Sequence, residues 1–317
     1  MMHAGRRTRL RRAVLCLAVL ALIPTAACDK ERAKAPEPKP SQSQKRPTIF
    51  DGSVIVGVKK GQPGFSTRSG YDYAGFEIAL VDQLAEYTPF KGAEKLDLPS
   101  LRRETILQNG GRDMVAATYS ITPGRDRKVD FTAPYFKTYQ GLLVAKDDDS
   151  IKKLEDVKGK RVCTASGSTS DPDNPEDERA RKEAKEALGN GVIPSTRTDY
   201  KECVKGLVDG NFQAVWTDEI LLQGFAHAKK YSDDVKVVPG IEIGRLEWYG
   251  IGLHEGQVSD CRRLNRALKK FLREDWRSKF RDYFPELAEE ASFEQKYKPS
   301  TDQFERFERD SCGARDK

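Results

Sequence analysis

The sequence predicts an α/β fold in which the sheets are mainly parallel, and two observations carry that prediction. The first is one complete strand, turn and helix unit: an apolar run at 53–58, glycines and a proline at 61–64, and apolar residues at helical spacing over 75–85. The second is that extended and helical segments keep alternating along the chain. With 317 residues, 33% charged and 38% hydrophobic, the chain is long enough for two domains and too polar for a multi-span membrane protein.

The later elements follow the same alternation. Extended segments are predicted at 114–118, 141–146, 161–165 and 214–217, and helices at 103–109 and 177–188. Near the end, apolar side chains from Leu264 to Trp276 recur at helical spacing. We interpret that stripe as core packing without a ligand role.

The first 27 residues predict an export signal. Five arginines and no acidic residue precede an apolar run of 11 residues at 13–23, which ends in small residues. Cys28 follows Thr-Ala-Ala in the manner of a bacterial lipobox, so we expect it to carry lipid; an ordinary signal followed by an unrelated cysteine is the alternative. Five of the six net positive charges belong to this signal, and the nearly neutral remainder gives no indication of a nucleic-acid partner.

A flexible tether is predicted at 28–47, because this stretch is rich in Lys, Glu, Pro, Ser and Gln and has scarcely an apolar residue to bury. Beyond it, four cysteines remain, at Cys163, Cys203, Cys261 and Cys312. In an oxidising compartment they predict two disulfides, with three possible connectivities. With three histidines and neither CxxC nor HExxH, the chain offers almost nothing for a metal or histidine-based catalytic site, and we expect no cofactor.

The strongest functional signal lies at 113–136. An extended apolar piece ends in the hydroxyl residues Thr118, Ser120 and Thr122, and a Pro-Gly turn then presents Arg125. Hydroxyls and a guanidinium within eight residues suit a carboxylate, which arginine can bind through two parallel hydrogen bonds. The residues alone leave a solvated basic loop as the alternative.

This segment resembles the signature of the polar amino-acid substrate-binding proteins of ABC transporters, which have the type II periplasmic binding fold. In that signature an arginine is followed five residues later by Asp-Phe, as Arg125 is by Asp130-Phe131. The resemblance runs from about 52 to 285 and is greatest to actinobacterial glutamate-binding lipoproteins. It also rests on Gly75-Phe76-Glu77, on 103–110, on 116–121, on 166–170, on Thr217-Asp218 and on 248–253.

The resemblance implies two α/β lobes, each a mainly parallel sheet flanked by helices. Lobe 1 would comprise 48–143 and 248–317, and lobe 2 would comprise 144–247, with crossovers near 143–147 and 243–248. Because each pair would then lie within one lobe, we favour the disulfides Cys163–Cys203 and Cys261–Cys312. The charged tail from 292 onward would be stapled back by Cys312; a disordered end is the alternative.

The resemblance also implies roles for single residues at the lobe interface. The ligand α-carboxylate would bind Arg125 and Ser120, together with backbone N–H groups of a helix start at Ser168-Thr169-Ser170. The α-ammonium would bind Asp218 and a carbonyl near Ala117 or Thr118. Plain helix N-capping is the alternative for both the 168–170 stretch and Asp218. A distal carboxylate would need a cation or donor, for which the candidates are Lys59, Arg103 and Gln62.

The function implied is the capture of a polar L-amino acid by hinge closure and its delivery to an ABC permease. Glutamate is the first expectation, followed by glutamine, aspartate and asparagine. The protein would be a monomer, held by lipid on the outer face of the cell membrane. A sensor lipoprotein that signals to a membrane partner is the alternative. An enzyme of the cyclohexadienyl dehydratase type would need a carboxylic acid in the cleft; Glu77 and Glu219 read more simply as helix-start residues, so we expect no enzyme.

Overall fold

The computed structural model describes residues 47–189 and 191–313. The predicted signal, most of the tether and the lipidation site Cys28 lie outside these residues. Within the described part of the chain, no helix has the length and apolar character needed to cross a membrane.

The elements alternate as predicted. The strands are β1 (Val54–Val58), β2 (Gly61–Gln62), β3 (Ser66–Ser69), β4 (Asp72–Ala74), β5 (Ala93–Asp97), β6 (Met114–Val115), β7 (Asp130–Phe131), β8 (Phe136–Ala145), β9 (Arg161–Ala165), β10 (Ile193–Arg197), β11 (Ala214–Asp218), β12 (Val235–Val237), β13 (Ile243–Tyr249) and β14 (Gly252–Leu253). The α-helices are α1 (Phe76–Tyr87), α2 (Arg103–Gln108), α3 (Pro123–Asp126), α4 (Glu178–Leu188), α5 (Tyr200–Val208), α6 (Glu219–His227), α7 (Val258–Glu274), α8 (Trp276–Tyr283), α9 (Phe293–Tyr297) and α10 (Thr301–Asp310).

Two sheets form the centres of two lobes. The first has the order β5-β1-β6-β14-β7, and the second has the order β10-β9-β11-β8-β12, with β13 paired to β8. We call the first sheet and its helices lobe 1, and the second sheet and its helices lobe 2. The two-lobed α/β fold is therefore confirmed.

Both sheets are mixed, because each contains one strand that runs opposite to all the others. Strands β5, β1 and β6 are parallel, as are β10, β9 and β11. The strands that return the chain, β14 in lobe 1 and β8 in lobe 2, pair antiparallel with their neighbours. A return strand is short or mixed in polarity, so its direction leaves little trace in the sequence.

The chain changes sheet earlier than the crossover expected near 143–147. Strand β8 already pairs with β13 at Phe136↔Tyr249, so the passages lie between β7 and β8 and between β13 and β14. The predicted segment 141–146 is the apolar second half of a ten-residue strand. Its first half contains polar side chains such as Lys137 and Gln140, which the apolar pattern misses.

Both favoured disulfides are present. Cys163–Cys203 joins β9 to α5 within lobe 2, and Cys261–Cys312 joins α7 to the residues after α10. The tail is ordered through 313: Ser300 caps α10, and the Phe307 ring lies 4.9 Å from that of Trp248. A disordered end, the alternative expectation, is wrong for this part of the tail.

The core of lobe 1 is aromatic and reaches the point where the chain changes sheet. The Phe136 ring lies 5.1 Å from Phe65, 5.4 Å from Phe76 and 5.7 Å from Trp276, centroid to centroid. The predicted terminal stripe is buried here, divided between α7 and α8 at Asp275. This packing fixes the strand ends that support the site.

Candidate functional site

A loop in the left-handed conformation begins the site. After β6 ends, Thr118 has φ 44°, which is unfavourable for a β-branched residue. Its N–H donates to Glu77 Oε1 at 2.5 Å, and its hydroxyl donates to Gln62 Oε1 at 3.2 Å. Glu77 also accepts a hydrogen bond from the Tyr135 hydroxyl. Glu77, fully buried at the start of α1, is therefore a structural support that fixes the backbone of the loop at Thr118.

Arg125 lies at the centre of the site and is completely buried. Thr122 caps α3 and accepts a hydrogen bond from the Arg125 N–H, which fixes the backbone. The guanidinium donates to Ser120 O and to Gly167 O, each at 2.9 Å, and its Nε lies 3.0 Å from Glu104 Oε1 in a buried ion pair. Ser120 belongs to lobe 1 and Gly167 to lobe 2, so Arg125 connects the lobes.

Arg103 reaches the same carbonyl from α2. It donates to Ser100 O, Ala117 O, Thr118 O and Gly167 O at 3.0–3.2 Å. Four of the five N–H groups that arginine carries are thus directed at backbone carbonyls. Burial and the neighbouring Arg125 guanidinium lower the pKa of Arg103. Its main contribution is to hold the 117–118 loop against lobe 2.

Lys59 follows β1 and is 7% exposed. Its Nζ donates to Ser100 Oγ at 2.8 Å and to Leu98 O at 3.4 Å, both neutral acceptors, and it forms no ion pair within the described residues. Burial, then the nearby Arg103 charge, lowers the pKa of Lys59 well below its usual value. An anion beside Nζ would stabilise the charged form of Lys59 and raise its pKa again.

Asp218 ends β11 and is also buried. It occupies the N-cap position of α6, yet its side chain makes no capping hydrogen bond. Instead, one carboxylate oxygen accepts from the Tyr249 hydroxyl, and Oδ1 has no hydrogen-bond donor among the described residues. Burial, then the charge of Glu247, raises the pKa of Asp218 to about 7. A buried oxygen without a donor is suited to an ammonium group.

The lobe 2 loop at 166–170 is not the helix start that the resemblance implied. It continues through turns, and α4 begins only at Glu178, so the N–H groups of 168–170 do not form a helix start. The Ser168 hydroxyl is bonded with Thr164 and Ser170, and Thr169 Oγ1 accepts from Gln140 Nε2 at 2.9 Å. What this loop presents to both arginines is the Gly167 carbonyl.

Gly167 can approach so closely because it has no side chain. Its φ is 76°, and a Cβ there would lie 2.5 Å from the Cα of Leu101 in lobe 1.

Nearby, the N-cap residues of two helices are in contact across the lobes. The Thr122 hydroxyl, at the start of α3, bonds the carboxylate of Asp177, which caps α4. Lys128 and Glu176 form an ion pair at 2.7 Å on the same side.

A comparison with protein families shows to which family the chain belongs. Residues 54–298 match the model of the bacterial extracellular solute-binding proteins, family 3. The chain belongs to this family. Its candidate site contains the buried cationic side chains of Lys59, Arg103 and Arg125 and the buried carboxylate of Asp218.

The individual relatives of this family 3 protein are amino-acid-binding proteins. The glutamate-binding protein GluB of Corynebacterium glutamicum is 36% identical over 233 residues, which cover 70% of this chain and 75% of GluB. The ABC transporter glutamine-binding protein GlnH of Bacillus subtilis is 32% identical, covering 80% and 89%. An ancestral arginine-binding protein bound to glutamine superposes with a TM-score of 0.64 at 29% identity, covering 74% of this chain and 98% of that one.

One structural neighbour is a precursor of an enzyme. The ancestral amino acid-binding protein AncCDT-1, a precursor of cyclohexadienyl dehydratase, has a TM-score of 0.63 at 27% identity and covers 75% of this chain. The family and the relatives above are nevertheless solute-binding proteins rather than enzymes. The two carboxylates considered for catalysis have structural partners: Glu77 supports Thr118, and Glu219 accepts from the Tyr297 hydroxyl at 2.9 Å.

The structure gathers most of the sequence-predicted residues in this family 3 site, and it adds others. Glu104 balances Arg125, and Tyr249 and Glu247 face Asp218. Glu247 and Tyr249 are buried on one face of β13, and their two-residue spacing is a signal that could have been found in the sequence. The Gly167 carbonyl carries no such signal.

Ligand binding should depend on pH through Asp218. Its pKa in the ligand-free protein is raised to about 7, and an ammonium at Oδ1 would lower it, so binding should release a proton. The groups that face it are Glu247, Tyr249, Arg103 and Arg125. Affinity should be greatest above about pH 7 and fall by up to about tenfold per unit below it. Calorimetry in buffers from about pH 5 to 8 measures this; an unchanged affinity would contradict the role of Asp218.

Proposed function

We propose that this protein binds L-glutamate between its lobes. The observation that carries the proposal is Lys59, a buried side chain whose Nζ donates only to neutral oxygens among the described residues, while the carboxylates of Glu77 and Asp199 act on it without forming an ion pair. A distal carboxylate is the partner that such a cation lacks. GluB, a relative at 36% identity, is named for glutamate binding, which supports the same ligand.

The opposite ends of the ligand would meet opposite charges. The α-carboxylate would bind Arg125, replacing the Gly167 carbonyl, since a carboxylate is a stronger acceptor for a guanidinium than a neutral carbonyl. Ser120, Ser168 and Thr169 would complete this end. The α-ammonium would bind Asp218 Oδ1 together with the carbonyl of Ala117 or Thr118.

The ligand would also stabilise contact between the lobes. Arg125 belongs to lobe 1 but bonds Gly167 in lobe 2, and a ligand held by both Arg125 and Asp218 would connect the same two lobes. A ligand that binds the closed form more tightly shifts the equilibrium by that difference in affinity. We infer that the hinge closes at the passages from β7 to β8 and from β13 to β14. The closed protein would then dock on an ABC importer.

The predicted export signal supports a place of action outside the cytoplasm. We propose that Cys28 carries lipid and that the 28–47 tether holds a monomeric binding body at the extracytoplasmic face of the cell membrane. GlnH, another relative, is named as a component of an ABC transporter, which supports delivery to a permease.

The Lys59→Met substitution tests the ligand assignment. It keeps the apolar stem but removes the charge, so glutamate affinity should fall by about 2–5 kcal/mol, as expected for losing a buried charge pair. Glutamine, which has no distal charge, should be affected much less. Calorimetry with both ligands measures the difference.

The control is Lys60→Met, because the adjacent Lys60 side chain is 58% exposed and paired with Asp97. This variant should bind glutamate like the unmodified protein. Equal losses for glutamate and glutamine in Lys59→Met would contradict the pairing of Lys59 with a distal carboxylate.

A further inference from the structure

A cavity of about 80 Å³ borders Lys59, and neither Arg125 nor Asp218 is among the residues that line it. Lobe 1 contributes Lys59, Gln62 and Ser100 to its wall, and lobe 2 contributes Ala165 and Tyr200. A cavity of this size is several times larger than the roughly 10–15 Å³ that one water molecule requires. The space therefore adjoins the predicted position of the distal ligand group and could hold several more atoms.

The outer end of this cavity meets a basic groove of about 510 Å³, and Lys60 and Asp199 line both spaces. Five cationic side chains and two acidic ones line the groove: Lys60, Arg68, Lys201, Lys205 and Lys230, with Asp199 and Glu202. Lys60 and Arg68 share one carboxylate, that of Asp97, at 3.0 and 3.3 Å. Cations thus outnumber acids along the groove, whereas around the cavity Lys59 and Lys60 are matched by Asp97 and Asp199.

We propose that this path admits glutamate derivatives extended at the distal carboxyl, namely γ-glutamyl dipeptides with a free C-terminal carboxylate. The inference rests on the proposed function, because the glutamyl part must occupy the site at Arg125 and Asp218. A γ-linkage leaves the α-carboxylate and α-ammonium intact for those two residues, whereas an α-linkage removes the carboxylate that Arg125 would bind.

The chemistry of the cavity suits the added unit. The γ-amide carbonyl accepts a hydrogen bond from Lys59 Nζ, which already donates to neutral oxygens there. A glycyl residue is small enough for the cavity, and its carboxylate lies between Lys59 and Lys60. The two cations then compensate the second negative charge of the ligand.

Calorimetry on the full chain with three probes tests this: L-glutamate, γ-L-glutamylglycine and α-L-glutamylglycine. We expect the γ-dipeptide to bind within about a hundredfold of glutamate, in line with one exchanged polar contact, and the α-dipeptide not to bind. Binding of glutamate without the γ-dipeptide overturns this inference alone. Failure of both overturns the proposed function as well, and equal binding of both dipeptides overturns the γ-linkage argument.

Two variants locate the added unit. Ala165→Leu fills the cavity and should weaken γ-L-glutamylglycine at least tenfold more than glutamate, as expected when an extra side chain occupies the ligand's volume. Lys60→Glu acts at the outer end, where the Lys60 side chain is 58% exposed, and should weaken the dipeptide about threefold relative to glutamate. Lys152→Glu, on the exposed surface of lobe 2, is the matched control. Equal responses of glutamate and dipeptide to Lys60→Glu overturn the proposed path, whatever Ala165→Leu does to stability.

Discussion

Arg125→Ala is expected to weaken L-glutamate binding by about 2–5 kcal/mol, the cost of removing one member of a buried charge-assisted pair. Arg125 is completely buried, and its guanidinium bonds both lobes at 2.9 Å. The substitution therefore removes both the proposed partner of the α-carboxylate and a connection between the lobes. Calorimetric titration with glutamate measures the loss.

Folding must be separated from binding in this experiment. Without Arg125, the buried carboxylate of Glu104 loses its ion pair, which also destabilises the fold. The double variant Arg125→Ala with Glu104→Gln removes that unpaired charge and should recover stability in thermal unfolding without recovering glutamate affinity. Arg127→Ala, at an exposed residue two positions along, is the binding control. Unchanged affinity in a folded Arg125→Ala protein would exclude Arg125 from the site.

Asp218→Asn should cause the second large loss, again about 2–5 kcal/mol of glutamate affinity. The amide keeps the shape of the side chain but removes the negative charge opposite the α-ammonium. The same variant should also flatten the decline in affinity below about pH 7, because the group responsible no longer titrates. Titrations at two pH values measure both effects.

The control for this variant is Asp233→Asn, which changes an exposed carboxylate in the same lobe. It should preserve both the affinity and its pH dependence. A normal affinity in Asp218→Asn would show that the ammonium binds elsewhere, and an unchanged pH profile would assign the titration to another group, such as Glu77, whose pKa burial also raises to about 7.

The fold could be predicted largely because its informative segments are local. The apolar run of β1 and the stripe on α1 are contiguous in the chain, so their periodicity is visible without any tertiary contact. Strand β8 was harder, because its first half contains Lys137 and Gln140, polar residues that are buried in the folded protein and lie opposite Trp248 and Ile243 of β13. The point where the chain changes sheet depends on that pairing and therefore could not be predicted from local pattern.

In the site, as in the fold, local patterns could be predicted and contacts between distant segments could not. Arg125 could be predicted because the hydroxyl residues and the turn that position it lie within the same eight residues. Arg103 was expected to face a distal carboxylate, but it directs four N–H groups at carbonyls brought together by the fold. The Gly167 carbonyl joins both arginines across the lobes, and a backbone oxygen leaves no trace in the residue type. What the sequence conveys is side-chain chemistry, and what it omits is which backbone groups meet.

We propose that this family 3 solute-binding protein holds a zwitterionic amino acid by its two ends and prefers an acidic side chain. The most direct measurement is calorimetric titration of the purified protein with L-glutamate, L-aspartate, L-glutamine and L-asparagine under identical conditions. We predict micromolar or tighter binding, with glutamate tightest, because Lys59 forms no ion pair within the described residues. Preference for glutamine would contradict the role of Lys59. Absence of heat with all four ligands would contradict the proposal that the protein binds a polar amino acid.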